Sequence, residues 1–168
     1  MGTLEPLISL ARDRGADDTT RLRCAVAFAN LSHEPAVQGE MVTAGVVPVV
    51  AELSNSYCEE NQLYCARALC NLGCHSGSEQ AIVEQGGVTA LMMICMVRAV
   101  SHFTKQICAK AILNLVCAPL VIKDWLPQLA DEGLVQAVSV LSRLPEEQTM
   151  GVCASIFCTI SAHGLVGR

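Results

Sequence analysis

Charge is scarce in this chain. Only 16% of its residues are Asp, Glu, Lys or Arg, which is low for a free-standing globule and implies that neighbouring segments cover much of each segment's surface. The net charge of −5 excludes a general nucleic-acid binder, which needs a basic surface to displace counterions from phosphates. Long apolar runs are absent too. The longest, Val88 to Val97, stops at Arg98 and is too short to span a bilayer. Met1 to Leu10 lacks the basic start and apolar core of a secretory signal, and Pro6 stands where a myristoylation pattern requires Ser or Thr. The expectation is a cytoplasmic protein without direct membrane insertion, reaching the nucleus only through a partner. No phosphate loop, carboxylate pair or cofactor fingerprint occurs, so neither catalysis nor a cofactor is expected. Gly73-Cys74-His75-Ser76-Gly77 departs from the Gly-x-Ser-x-Gly elbow and reads as a helix stop. No low-complexity stretch or linker divides the 168 residues, 52% of which are hydrophobic, so they form one domain.

Cysteine is abundant, with ten residues, and its placement is periodic. Cys24, Cys65, Cys108 and Cys153 each open one version of the same segment: Cys-Ala-Val-Ala-Phe-Ala-Asn-Leu, Cys-Ala-Arg-Ala-Leu-Cys-Asn-Leu, Cys-Ala-Lys-Ala-Ile-Leu-Asn-Leu and Cys-Ala-Ser-Ile-Phe-Cys-Thr-Ile. The intervals are 41, 43 and 45 residues, the range of helical solenoids whose units bury their apolar faces against one another. Stacked helices stand about 8–10 Å apart, beyond the ~7 Å Cα limit of an unstrained disulfide. These cysteines therefore read as reduced core thiols acting as small hydrophobes. Cys70, Cys74 and His75 hint at zinc, but no second Cys or His pair stands at ligand spacing, so no metal is expected.

Within each segment the apolar positions step by three, four and seven: Cys24, Ala27, Phe28, Leu31 and their counterparts in the other units. This is the pattern of an amphipathic helix. A second helix type opens at glycine (Gly45, Gly87, Gly133), with stripes Val46-Val49-Val50-Leu53, Val88-Leu91-Met92-Cys95 and Leu134-Ala137-Val138-Leu141. The glycine supplies positive φ at the sharp turn. Shorter helical stretches precede it at 35–43, 79–85 and 126–131. The opening from Gly2 to Ile8 matches the glycine-led type.

Three helices in about 42 residues, the Gly-x-[Ile/Val]-x-x-[Leu/Val] opening and the Ala-[Leu/Ile]-x-Asn-Leu close resemble armadillo repeats along the whole chain. The resemblance implies an all-α, right-handed α-solenoid of stacked three-helix units: a partial repeat over 1–33, then repeats at 34–75, 76–118 and 119–168. It also implies a non-catalytic protein-interaction scaffold, whose third helices line a concave groove that takes an extended peptide. The family's backbone-binding Asn falls on Asn30, Asn71 and Asn114, with Thr159 a departure. An amide offers donor and acceptor together and so suits a peptide backbone, though these asparagines could equally bond the neighbouring repeat.

The Trp that importin-like members place four residues before the Asn is replaced by Val26, Arg67, Lys110 and Ser155. The aromatic platform for nuclear-import signals is therefore missing. Seven before the Asn stand Arg23, Tyr64, Ile107 and Val152, on the same helical face. Arg23, Arg67 and Lys110 then form either a basic strip for an acidic segment, as in catenin-like grooves, or ordinary solvated charges. Four rungs at ~10 Å spacing span about 30 Å, or roughly nine extended residues. The alternative is a segment of a larger scaffold that works through its solenoid ends by self-association, since Leu4, Leu7, Ile8 and Leu10 would lack an outer neighbour.

Overall fold

The computed structural model describes residues 4–164, which excludes the expected glycine-led opening at Gly2 and the tail from Leu165 to Arg168. The first two helices, α1 (Leu4–Arg12) and α2 (Asp18–Ser32), are of the second and third types. A complete unit follows as α3 (Pro35–Thr43), α4 (Val46–Ser54) and α5 (Glu59–Leu72), and another as α6 (Glu79–Glu84), α7 (Gly87–Met96) and α8 (His102–Val116). The last holds α9 (Pro119–Asp124), α10 (Leu126–Asp131), α11 (Leu134–Leu141) and α12 (Glu147–Ala162). Among the described residues there is no strand, and the chain is an all-α solenoid.

The apolar stripes build the core. Cys65, Ala68, Leu69 and Leu72 in α5 and Cys108, Ala111, Ile112 and Leu115 in α8 are all fully buried. So are the stripes of α4, α7 and α11, with Met92 the least enclosed. In α2, Cys24 and Phe28 are buried but Ala27 and Leu31 are only half-covered, because no unit packs in front of it among the described residues. The alanine after each repeat cysteine is the stacking contact. Ala25, Ala66 and Ala109 are sealed between successive third helices, whereas Ala154, on which no further helix packs among the described residues, is exposed. A methyl group there lets helix axes approach closely. Third helices pack along the stack as α2–α5–α8–α12 and second helices as α1–α4–α7–α11, the third-helix row more closely.

Two local expectations are corrected. Positive φ falls on Gly45, Gly86 and Gly133, at 78°, 83° and 113°, so Gly86 rather than Gly87 makes the second turn. Gly87 answers a different need: a Cβ there would lie 2.6 Å from Ile82 Cγ2 and 2.9 Å from the Ile82 carbonyl oxygen. It lets α7 start hard against α6. In the last unit the short helix is extended at its front by α9, and the two pieces are separated at Trp125. Pro119 and Pro127 sit in the first turns of these pieces, where proline sacrifices no intrahelical bond.

Candidate functional site

The third helices expose one face in register. Arg23, Val26 and Asn30 lie on it in α2, Tyr64, Arg67 and Asn71 in α5, Ile107, Lys110 and Asn114 in α8, and Val152, Ser155 and Thr159 in α12. None of these twelve is buried, unlike the stripe residues beside them, so the face is open to solvent along the whole stack. Its floor is apolar at Val26, Ile107 and Val152, and its cations rise from the first three helices.

The asparagine ladder is partly spent on stacking. Asn71 Nδ2 donates to Ser32 Oγ of the preceding unit at 3.1 Å. Asn114 Nδ2 donates to Cys74 Sγ, again one unit back, at 3.3 Å. Thr159 Oγ1 repeats the pattern at 3.4 Å from Cys117 Sγ. The partners Ser32, Cys74 and Cys117 stand two or three residues after the previous Asn, and the sequence reading overlooked them. The available signal is that each is a small hydrogen-bonding residue just past the Asn-Leu pair. Each of the two asparagine bonds uses one amide hydrogen, and leaves the Asn oxygen and its second N–H for another partner.

Arg67 and Tyr64, three residues apart on α5, come together as the spacing requires: the guanidinium carbon lies 5.9 Å from the ring centroid. At that distance the ring face still attracts the cation and steadies the arginine over the groove. Arg23 is a weaker member, because it also faces Asp17. That carboxyl is held low chiefly by its hydrogen bonds from Thr20, with Arg23 contributing least. Lys110 leans toward α5, where it partly offsets the effect of burial and Cys74 on the Cys70 thiol. Among the described residues the one close ion pair is His102 with Glu146 at 3.8 Å, so Arg23, Arg67 and Lys110 have no carboxylate at salt-bridge distance. Glu60, one turn back from Tyr64 on α5, bounds the strip at that end.

The last unit is different. Ser155 Oγ donates to its own Gly151 carbonyl at 3.1 Å, and Thr159 Oγ1 donates to the Ser155 carbonyl at 3.1 Å. Each hydroxyl thus spends its proton within α12 and keeps its acceptor capacity. The thiols near Asn71 are likewise committed. Cys74 Sγ donates to the Cys70 carbonyl at 3.3 Å, and the His75 ring packs over Gly39, with Nε2 where a Cβ would be 3.0 Å away. No group of three metal-ligating side chains forms among the described residues.

Solved structures give the arrangement its place. A computationally designed armadillo repeat protein for modular peptide recognition superposes with a TM-score of 0.81 at 19% identity, over 96% of this chain and 66% of its own. The chain has the armadillo-repeat fold. A second designed armadillo repeat protein gives a TM-score of 0.78 at 19% identity, over 95% of this chain and 65% of its own. A third, in complex with the peptide (KR)4, gives 0.77 at 19% identity, over 94% of this chain and 64% of its own. The chain thus spans just under two thirds of each armadillo neighbour's length. The sequence matches no protein-family model and no curated protein.

Proposed function

We propose that this armadillo solenoid is a non-catalytic peptide-binding module, residing in the cytoplasm, whose third-helix face holds an extended acidic segment. The observation that carries the reading is the in-register array itself: three cations without carboxylate partners beside three asparagines, on helices one repeat apart. The asparagine oxygens and remaining amide hydrogens would pair with the peptide backbone, and Arg67, Lys110 and Arg23 with its carboxylates. A designed neighbour holds a peptide of alternating Lys and Arg. Here the charges facing the groove at the two positions before the asparagines are positive, which suits the opposite ligand.

Magnitudes set the affinity class. Three backbone bonds at about 1 kcal/mol each and three exposed ion pairs at about 0.2–1 kcal/mol each sum to roughly 4–6 kcal/mol. That corresponds to dissociation constants from about 1 mM to tens of micromolar. Such a groove captures acidic segments reversibly, with little dependence on the exact side chains.

The test is fluorescence anisotropy with a labelled nine-residue peptide rich in Asp and Glu, beside its Lys-substituted counterpart. The acidic peptide should bind and weaken several-fold between ~10 mM and ~150 mM salt, as the screening length falls from about 30 to about 8 Å. Equal binding of the basic peptide, or affinity indifferent to salt, would remove the basic-groove reading.

A further inference from the structure

A second surface lies away from the asparagine face. Three hollows adjoin through shared lining residues, two along the turn that links α4 to α5 and one between α7 and the start of α11. The first, of about 260 Å³, is lined by Asp18, Arg21 and Glu52, and shares Asn55, Ser56 and Tyr57 with the next. That one, of about 220 Å³, is walled by Ile94, Val97 and Met93. Met93 is also a wall of the third, of about 240 Å³, which runs over Met92 and Met96 to Glu132 and Gln136. Together they make one trough lined from all four repeats.

Its middle is apolar and uncovered. Met93 and Met96 are 57% and 53% exposed and Tyr57 is entirely so, although these residue types usually bury their bulk. Contiguous exposed apolar surface of this kind marks an interaction site, and flexible methionines let such a surface adapt to its partner. Both ends are acidic. Glu132 accepts from Thr89 Oγ1 at 3.0 Å and Gln128 Nε2 at 2.7 Å, neutral donors that leave its charge in place. Asp18 and Glu52 have no cation at salt-bridge distance among the described residues. Arg21 is the cation in that hollow, and its Nε donates to the Ala16 carbonyl at 3.2 Å.

The amides that line this trough, Asn55, Gln62 and Gln136, are scattered over a turn and two helices, and Gln62 already donates to the Ser56 carbonyl, so they form no row over Met93 and Met96 to satisfy an extended backbone. A strand laid over Met93 would leave its own N–H and C=O groups unpaired against apolar side chains, which is costly. A helix satisfies its backbone internally and presents only side chains. We propose that this trough docks an amphipathic helix of a partner protein, with bulky apolar anchors over Met93 and Met96 and basic residues at both ends against Glu132 and the Asp18–Glu52 pair. The trough crosses three repeat steps, about 30 Å, and so accommodates roughly 20 helical residues.

A display library of helical peptides about 22 residues long, randomised along one face, tests the assignment when selected on the native chain. Enriched peptides should carry large apolar residues at i, i+3 or i+4, and i+7, with Lys or Arg at both ends. Their affinity should fall about tenfold or more in Met93→Glu, as expected for a central anchor, and several-fold in Glu132→Lys. It should be unchanged in Arg67→Glu/Lys110→Glu. Met93 is more than half exposed, so its replacement leaves the core intact, which a thermal melt confirms. Absence of enrichment, enrichment of acidic peptides, or equal binding to Met93→Glu overturns the proposal. A dimer of the native chain that Met93→Glu dissolves also overturns it, in favour of a second copy as the occupant.

Discussion

An acidic nine-residue peptide is expected to lose at least about fivefold in affinity when Arg67→Glu and Lys110→Glu are introduced together. Each change removes an attraction of up to about 1 kcal/mol and installs a repulsion of similar size, so the pair is worth roughly 1–4 kcal/mol. From a starting affinity no tighter than tens of micromolar, that places binding near or beyond detection. Both side chains are exposed and neither has a carboxylate partner at salt-bridge distance, so the fold should survive. Arg67→Glu also gives up the contact with the Tyr64 ring, worth about 0.5–1 kcal/mol at an exposed site. Reversing Arg98 and Arg143, exposed charges off this face, is the control and should leave affinity unchanged. Calorimetry with both double variants is decisive: a folded Arg67→Glu/Lys110→Glu protein that binds as wild type does means the two cations are solvated surface charges.

The second large effect is alkaline unfolding. Burial pushes the Cys65 thiol from an ordinary value of 9.0 up to about 12. Cys70 reaches about 11, through burial and then its neighbour Cys74. Cys108 rises well above 9.0, chiefly through its hydrogen bond with Cys95 and its burial. An acid whose folded pKa is raised stabilises the native state while it stays neutral in both states. The contribution is present below the unfolded pKa, and is lost as pH climbs from there toward the folded value. The cost is about 1.36 kcal/mol per pH unit and per thiol. For Cys65 that is roughly 2.7 kcal/mol between pH 9 and 11, a large share of a typical stability of about 5–15 kcal/mol.

Urea midpoints should therefore hold level from pH 6 to about 8.5 and fall steeply above 9. The fall should be shallower in Cys65→Ala by about one proton's worth of slope, although that variant starts less stable at neutral pH. A midpoint that stays level to pH 10.5 would contradict this account of the buried thiols. Alkylation at pH 8 provides a parallel readout. Cys58, Cys74 and Cys158 are exposed and should be labelled first. Cys65 should lag by at least about a thousandfold, because the three-unit rise in its pKa leaves that much less thiolate.

The repeat was legible because packing alone determines it. Stripes at i, i+3, i+4 and i+7 in α5, α8, α4, α7 and α11 are buried where the periodicity places them, since each faces an apolar neighbour on every side. The same stripe in α2 is only partly covered, because periodicity encodes which face is apolar and not whether a neighbour stands against it. Gly86 and Gly87 could not be told apart by pattern. One supplies positive φ and the other a close approach to Ile82, and both needs select glycine. The division of the last short helix at Trp125 was missed because α9 and α10 hold six residues each, too few for a period to show.

The candidate groove was legible as a face but not as a network. Spacing placed Tyr64 beside Arg67, and the cation sits over the ring. The bonds from Asn71 to Ser32 and from Asn114 to Cys74 join residues 39 and 40 positions apart. They depend on the offset between neighbouring repeats, which a single helix does not encode. Asn71 and Asn114 thus each serve stacking with one amide hydrogen, which leaves the rest of each amide uncommitted. The hydroxyls of Ser155 and Thr159 donate within α12, so the last rung offers acceptors where an asparagine would offer amide donors as well.

The central claim is that a peptide backbone lies along Asn30, Asn71 and Asn114 with its carboxylates on Arg67 and Lys110. The most direct measurement is nuclear magnetic resonance of the side-chain amides, and of the methionine methyls, during titration with the acidic nine-residue peptide. The three asparagine amides and the Arg67 Nε–H should shift together along one saturation curve, while the Met93 and Met96 methyls stay in place. Saturable binding that leaves the asparagine amides unmoved, or that shifts the methionines instead, would contradict it.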